Sequence, residues 1–74
     1  MLIVSQNRTK LVNLETTELI DISERFSIRV FQVSNADSFL EIASYEDSKR
    51  AKAVLQDLWI AYANGEKVYF MPEY

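Results

Sequence analysis

The chain has 74 residues, 49% of them apolar, with one glycine, one proline, no cysteine and no histidine. That is the length of a single domain, which buries only about 60% of the surface its unfolded chain exposes. Neither a disulfide nor a Cys–His zinc site can support it. The net charge of −3 favours solubility without naming a partner.

The longest basic cluster, Lys49, Arg50 and Lys52, is too short to neutralise a phosphate backbone, so direct nucleic-acid binding is disfavoured. No segment is long enough to cross a membrane. Met1-Leu2-Ile3-Val4 is too short for the apolar region of a signal peptide and lacks a charged start. A cytoplasmic protein is the expectation.

In chain order, Leu2 to Val4 reads as a first strand. Gln6-Asn7-Arg8 is a turn in which Asn7 best tolerates a left-handed backbone. Lys10 to Leu14 forms a second strand, closed by Glu15-Thr16-Thr17. Leu19 to Ser23 is a third, with Ile20 and Ile22 on one face and Asp21 on the other. Ser23-Glu24-Arg25 turns the chain into Phe26 to Val33, the longest strand. There Phe26, Ile28 and Val30 alternate with Ser27 and Arg29. The phase then breaks, since Phe31 and Val33 are apolar on the opposite face. Either a β-bulge near Val30 shifts the register, or both faces are covered. Ser34-Asn35-Ala36-Asp37 is the next turn, and Phe39 to Ala43 a fifth strand with Leu40 and Ile42 inward. Segments about ten residues apart with tight turns predict an antiparallel meander.

The helix follows. Asp47 is the expected N-cap, with Ser48 as the alternative. Ala51, Val54, Leu55, Leu58, Ala61 and Tyr62 recur at spacings of three and four and draw one apolar stripe. Asn64-Gly65 stops the helix, because glycine takes the left-handed position after a C-cap at little cost. Lys67 to Met71 is a short last strand, and Pro72 ends its ladder. The fold class is therefore α+β, one domain over residues 1–74. The expected architecture is an antiparallel sheet of four to six short strands with one long helix packed on one face, followed by a short last strand that joins the sheet edge or a second copy. Full burial of Leu55 and Leu58 is worth roughly 2 kcal/mol each.

Two stretches also carry a resemblance. Val4-Ser5-Gln6-Asn7-Arg8-Thr9 with Leu11-Val12-Asn13-Leu14 is like an opening "NQDRTxLVNL". Tyr45, Arg50-Ala51, Val54-Leu55, Ala61 and then Asn64-Gly65, Val68-Tyr69 and Met71-Pro72-Glu73 resemble the matching end "NGxxVYxMPE". Together they cover about half the chain. On these residues the chain resembles a family of small uncharacterised proteins of Firmicutes and their phages. Asp21 to Ser44 departs from the pattern, with Ala43-Ser44 where a glycine is usual. The resemblance implies a strand-rich domain with a late helix and a mobile-element origin, and it brings no active site.

Catalysis has little to work with. Without Cys or His, a serine nucleophile needs Lys or Asp help; Ser48 and Lys49 are adjacent but point to different sides of a helix. Paired carboxylates, Asp21 with Glu41 or Glu46 with Asp47, could serve acid–base work or a hard metal, yet solvated surface is the ordinary reading. One glycine cannot build a phosphate loop. Tyr45, Tyr62 and Tyr74 could stack bases only beside a basic groove. No catalytic residue, metal ligand or cofactor is assigned.

Trp59 flanks the helix stripe, and Ile60 lies beyond it with Lys49, Lys52, Ala53 and Gln56. Such a pair is either a core edge or a contact surface. Tyr69 and Met71 alternate with Val68 and Phe70, so the last strand is apolar on both faces. Trp59, Ile60, Tyr69 and Met71 are the expected protein-interface residues. The expected function is a non-enzymatic protein-binding or self-associating domain, an accessory protein of a phage or mobile element. The alternative is an acidic inhibitor of a host nucleic-acid enzyme, of the anti-defence type.

Overall fold

The computed structural model describes residues 1–32 and 35–74. Among them, six strands, a one-turn 3-10 helix and one α-helix make an α+β domain. The strands form two small sheets rather than one. β1 (Leu2–Val4) is central in the first, with β2 (Leu11–Asn13) antiparallel on one side and β6 (Val68–Phe70) parallel on the other. The second is the antiparallel meander β3 (Thr17–Ile22), β4 (Ser27–Gln32) and β5 (Asn35–Ser44).

The break between the sheets is local chemistry. Asn13 ends β2 and its side-chain oxygen accepts from the Glu15 amide at 3.0 Å, while the Thr16 and Thr17 hydroxyls donate to the Asn13 carbonyl. This winds Leu14–Thr16 into a 3-10 turn and sends β3 away from β2.

Two turns depart from expectation. In the β1–β2 hairpin the left-handed residue is Arg8 (φ 63°), not Asn7. Asn7 instead takes hydrogen bonds from the Ser5 and Thr9 hydroxyls and the Thr9 amide. The β3–β4 hairpin places Phe26 at φ 63°, where glycine is usual, closed by bonds from the Phe26 amide to the Ser23 carbonyl and from the Ser23 amide to the Ser27 carbonyl. Ser23 Oγ also accepts from the Arg25 and Ser27 amides.

Both faces of β4 are covered near Val30: Ile28 and Val30 face the core, while Phe31 on the other face is half-buried against Phe39, ring centroids 5.7 Å apart. β4 pairs with β3 without a shift from Ile28 to Phe31, whereas β5 carries an extra residue, Ile42, between the partners of Ile28 and Arg29. Ile42 and Ala43 both face the core as a result. Val33 and Ser34 lie outside the described residues. Asn35 to Asp37, read from sequence as a turn, belong to β5.

The helix α1 (Ser48–Ala63) begins and ends as its sequence reads. Asp47 is extended and accepts from the Arg50 amide at 2.8 Å. Gly65 (φ 77°) donates to the Tyr62 carbonyl and Glu66 to the Ala61 carbonyl, the paired bonds of a Schellman motif. Its apolar stripe is narrower than its periodicity: Ala51, Val54 and Leu58 are buried, Leu55 and Ala61 half-buried, Tyr62 exposed. The core lies where α1 crosses β4. Ile3, Val12 and Tyr69 enter from the first sheet, Ile28, Val30, Ile42 and Ala43 from the second, and Met71 closes it.

Candidate interaction surface

The β1–β2 turn, Tyr45, the start of α1 and the tail meet in space. Four successive tail carbonyls each accept from a side chain. Arg8 NH1 donates to Met71 O at 2.8 Å, Tyr45 Oη to Pro72 O at 2.8 Å, Gln6 Nε2 to Glu73 O at 2.9 Å, and Arg50 Nε to the Tyr74 backbone oxygen at 2.7 Å. Gln6 also donates to Ser44 O at 3.0 Å and accepts from Ser44 N at 2.9 Å. The Arg50 guanidinium lies 5.8 Å over the Tyr45 ring. These residues form a clasp that holds the tail against the first hairpin and the start of α1. Burial pushes the Tyr45 hydroxyl up from its usual pKa, while Arg50 and Arg8 pull it down. Each clasp residue thus commits a donor to the architecture.

Of the four expected interface residues, two are on the surface and two are not. Trp59 is 59% and Ile60 45% exposed. They do not form one patch. Trp59 flanks an apolar groove of about 190 Å³ with Leu14, Ile20, Leu55 and Tyr62, whereas Ile60 lines a separate groove beside Val68 and Phe70. Tyr69 (8% exposed) and Met71 (0%) lie in the core, so they offer almost nothing to a docking partner. The reason is parity. β6 turns its odd-numbered residues inward, and Tyr69 donates to Asp57 Oδ2 at 2.7 Å. Burial first, and then this hydrogen bond, raises the Tyr69 pKa strongly.

The even-numbered residues of β6 are the ones missed. Val68 and Phe70 point outward, beside Leu2 and Val4 of β1. Leu11 of β2 opposes Val4. The outer face of the first sheet is therefore apolar along the row Leu11–Val4–Phe70, with Leu2 and Val68 behind it. Leu11 and Phe70 are both 60% exposed or more. The Arg8 guanidinium stands 5.5 Å over the Phe70 ring. Water is the usual neighbour of such a face, and polar side chains its usual covering.

No protein-family model, curated protein or solved structure matches this chain.

Asp21 and Glu41 flank Arg29 in register, but the guanidinium bonds only the first: its Nε and NH2 donate to the two Asp21 oxygens at 2.7 and 2.6 Å. Its guanidinium also lies 5.5 and 5.0 Å over Phe31 and Phe39. The bond to Asp21 raises the Arg29 pKa, and Asp21 is committed to that fork. Glu46 is beside Asp47, which caps the helix. Among the described residues no three carboxylates are grouped to hold a metal ion, and no helix is long and apolar enough to cross a membrane.

Proposed function

We propose that this chain is a non-enzymatic protein-binding or self-associating module. One observation carries the reading: the apolar outer face of the β2–β1–β6 sheet, centred on Phe70 and Leu11, on a domain whose core is already complete behind it. A contiguous apolar patch on a small domain marks an interaction site more often than chance exposure. Aromatic side chains and arginine are enriched at protein interfaces, and Phe70 and Arg8 stand together on this face. The resemblance of the Val4–Leu14 and Asn64–Glu73 segments motivates an accessory role in a phage or mobile element.

The experiment is a pair of double variants, compared by sedimentation and by recovery of partners on the tagged protein. Leu11→Ser with Phe70→Ser removes the sheet face. Trp59→Ala with Ile60→Ser removes the helix flanks. Both pairs are solvent-exposed, so both proteins keep a melting curve close to wild type. The sheet-face variant loses association. If it associates as wild type does, the sheet face is not the interface. If only the helix variant loses association, the surface lies on α1.

A further inference from the structure

The open edge of β6 has a complement on this same chain. The bonds to β1 use one side of β6, with Leu2 N donating to Lys67 O at 2.9 Å and Met71 N to Val4 O at 3.0 Å. The peptide groups of a strand alternate in direction, so Val68 and Phe70 turn theirs to the opposite side. β6 is the outermost strand there, and no strand pairs with that side among the described residues. The edge is short, three residues, and Val68-Tyr69-Phe70 carries no charge, proline or bulge to keep it from pairing. Beside it runs the groove lined by Asp57, Ile60, Glu66, Val68 and Phe70. Asp57 accepts the Tyr69 hydroxyl, but among the described residues no cation is paired with Asp57 or Glu66, and no anion with Lys67, which precedes the strand.

We propose that β6 pairs antiparallel with β6 of a second copy, about a two-fold axis at Val68, joining the two sheets into one of six strands. This rests on the self-association reading above and narrows it to the β6 edge of that sheet, where the outward Val68 residues of the two copies meet beside Phe70 and Leu11 stays outside the contact. Antiparallel pairing is what a two-fold axis requires of identical edges. With Val68 on the axis, Lys67 stands opposite the partner's Tyr69. Opposed residues share a face, so Lys67 projects on the α1 side, toward the carboxylate that the Tyr69 hydroxyl holds. Each copy then contributes Lys67 to the partner's Asp57 and receives the same in return. Ile60, alongside, is covered by the added strand. A foreign strand would satisfy the backbone, but it would need its own cation at this position. This chain supplies both charges at matching places.

The chain has no cysteine, so one introduced thiol reports its own position. Hydrogen-bonded antiparallel partners have Cα atoms about 5.5 Å apart, within disulfide reach. Under mild oxidation Val68→Cys gives a covalent dimer, and Leu11→Cys, on the other edge of the sheet, does not. In sedimentation, Lys67→Glu weakens dimerisation at least tenfold. An equimolar mixture of Lys67→Glu with Asp57→Lys restores it, because both exchanged pairs then carry opposite charges. Circular dichroism shows that each variant is folded. A wild-type dimer with no Val68→Cys cross-link and no effect of Lys67→Glu overturns the edge while leaving self-association standing. A wild type that stays monomeric at millimolar concentration overturns both.

Discussion

At the scale of single residues, Gln6 ties together more of this chain than any apolar side chain. Its carboxamide joins the first hairpin to Ser44 at the end of β5 and to the tail carbonyls of Pro72 and Glu73. A net hydrogen bond is worth about 1 kcal/mol. Gln6→Ala is therefore expected to cost about 2–3 kcal/mol, visible as a lower urea midpoint and as early proteolysis of the tail. Gln6→Glu keeps the acceptor but loses both donors, so it recovers little of that. Nothing in the hydropathy pattern marks Gln6 or Arg8, because polar turn residues look alike before their partners are known. The residue types mark Gln6-Asn7-Arg8 as a turn and no more. Arg8 and Phe26 were likewise hidden as left-handed residues, since neither is the glycine or asparagine that such positions favour.

Among the elements, α1 was the most legible because all its signals are local: an acid three residues before a backbone amide it can cap, a repeat at three and four, and a glycine stop. Leu58 is at the centre of its buried stripe. Leu58→Asp puts an unpaired charge there, which exceeds the several kcal/mol that hold a domain of this size. We expect no cooperative thermal transition, and a melt near the wild-type midpoint would show the helix face misassigned. The strands were less legible. The extra residue in β5 depends on what lies across from it, and Phe39 covers Phe31 from that same strand, so neither feature shows in the pattern of one strand alone. β6 is apolar on both faces, and an unbroken apolar run has no parity. The sequence therefore offers Tyr69 and Met71 for the interface, while the fold buries them and turns Val68 and Phe70 outward. Trp59 and Ile60 stood off the helix stripe and were found exposed, though on two flanks.

For the whole molecule, the first expectation concerns alkali. An unfolded tyrosine ionises near pH 10, and the fold raises the Tyr69 value well above that by burial and by the bond to Asp57. A raised value favours the protonated state in the fold, so its stabilising contribution is complete below about pH 10 and disappears as pH rises through the folded value. Urea midpoints should therefore be flat from neutral pH to near 9 and fall steeply beyond. Tyr69→Phe should start lower at neutral pH, having lost the bond to Asp57, and fall less steeply. An equally steep fall in that variant would put the alkaline transition elsewhere. The two-sheet arrangement itself was not legible, because the pairing of β1 with β6 spans nearly the whole chain and leaves no local trace.

That same pairing sets the order of events during synthesis. A ribosome releases β1 and β2 long before β6, and the core around Ile3 and Val12 stays incomplete until α1 and β6 have both emerged. The β3–β4–β5 meander closes early, on near neighbours, while the first hairpin must hold its place for the last strand. A nascent chain stalled anywhere before Val68 would present that hairpin, apolar on both sides, to whatever chaperone or chain is nearest.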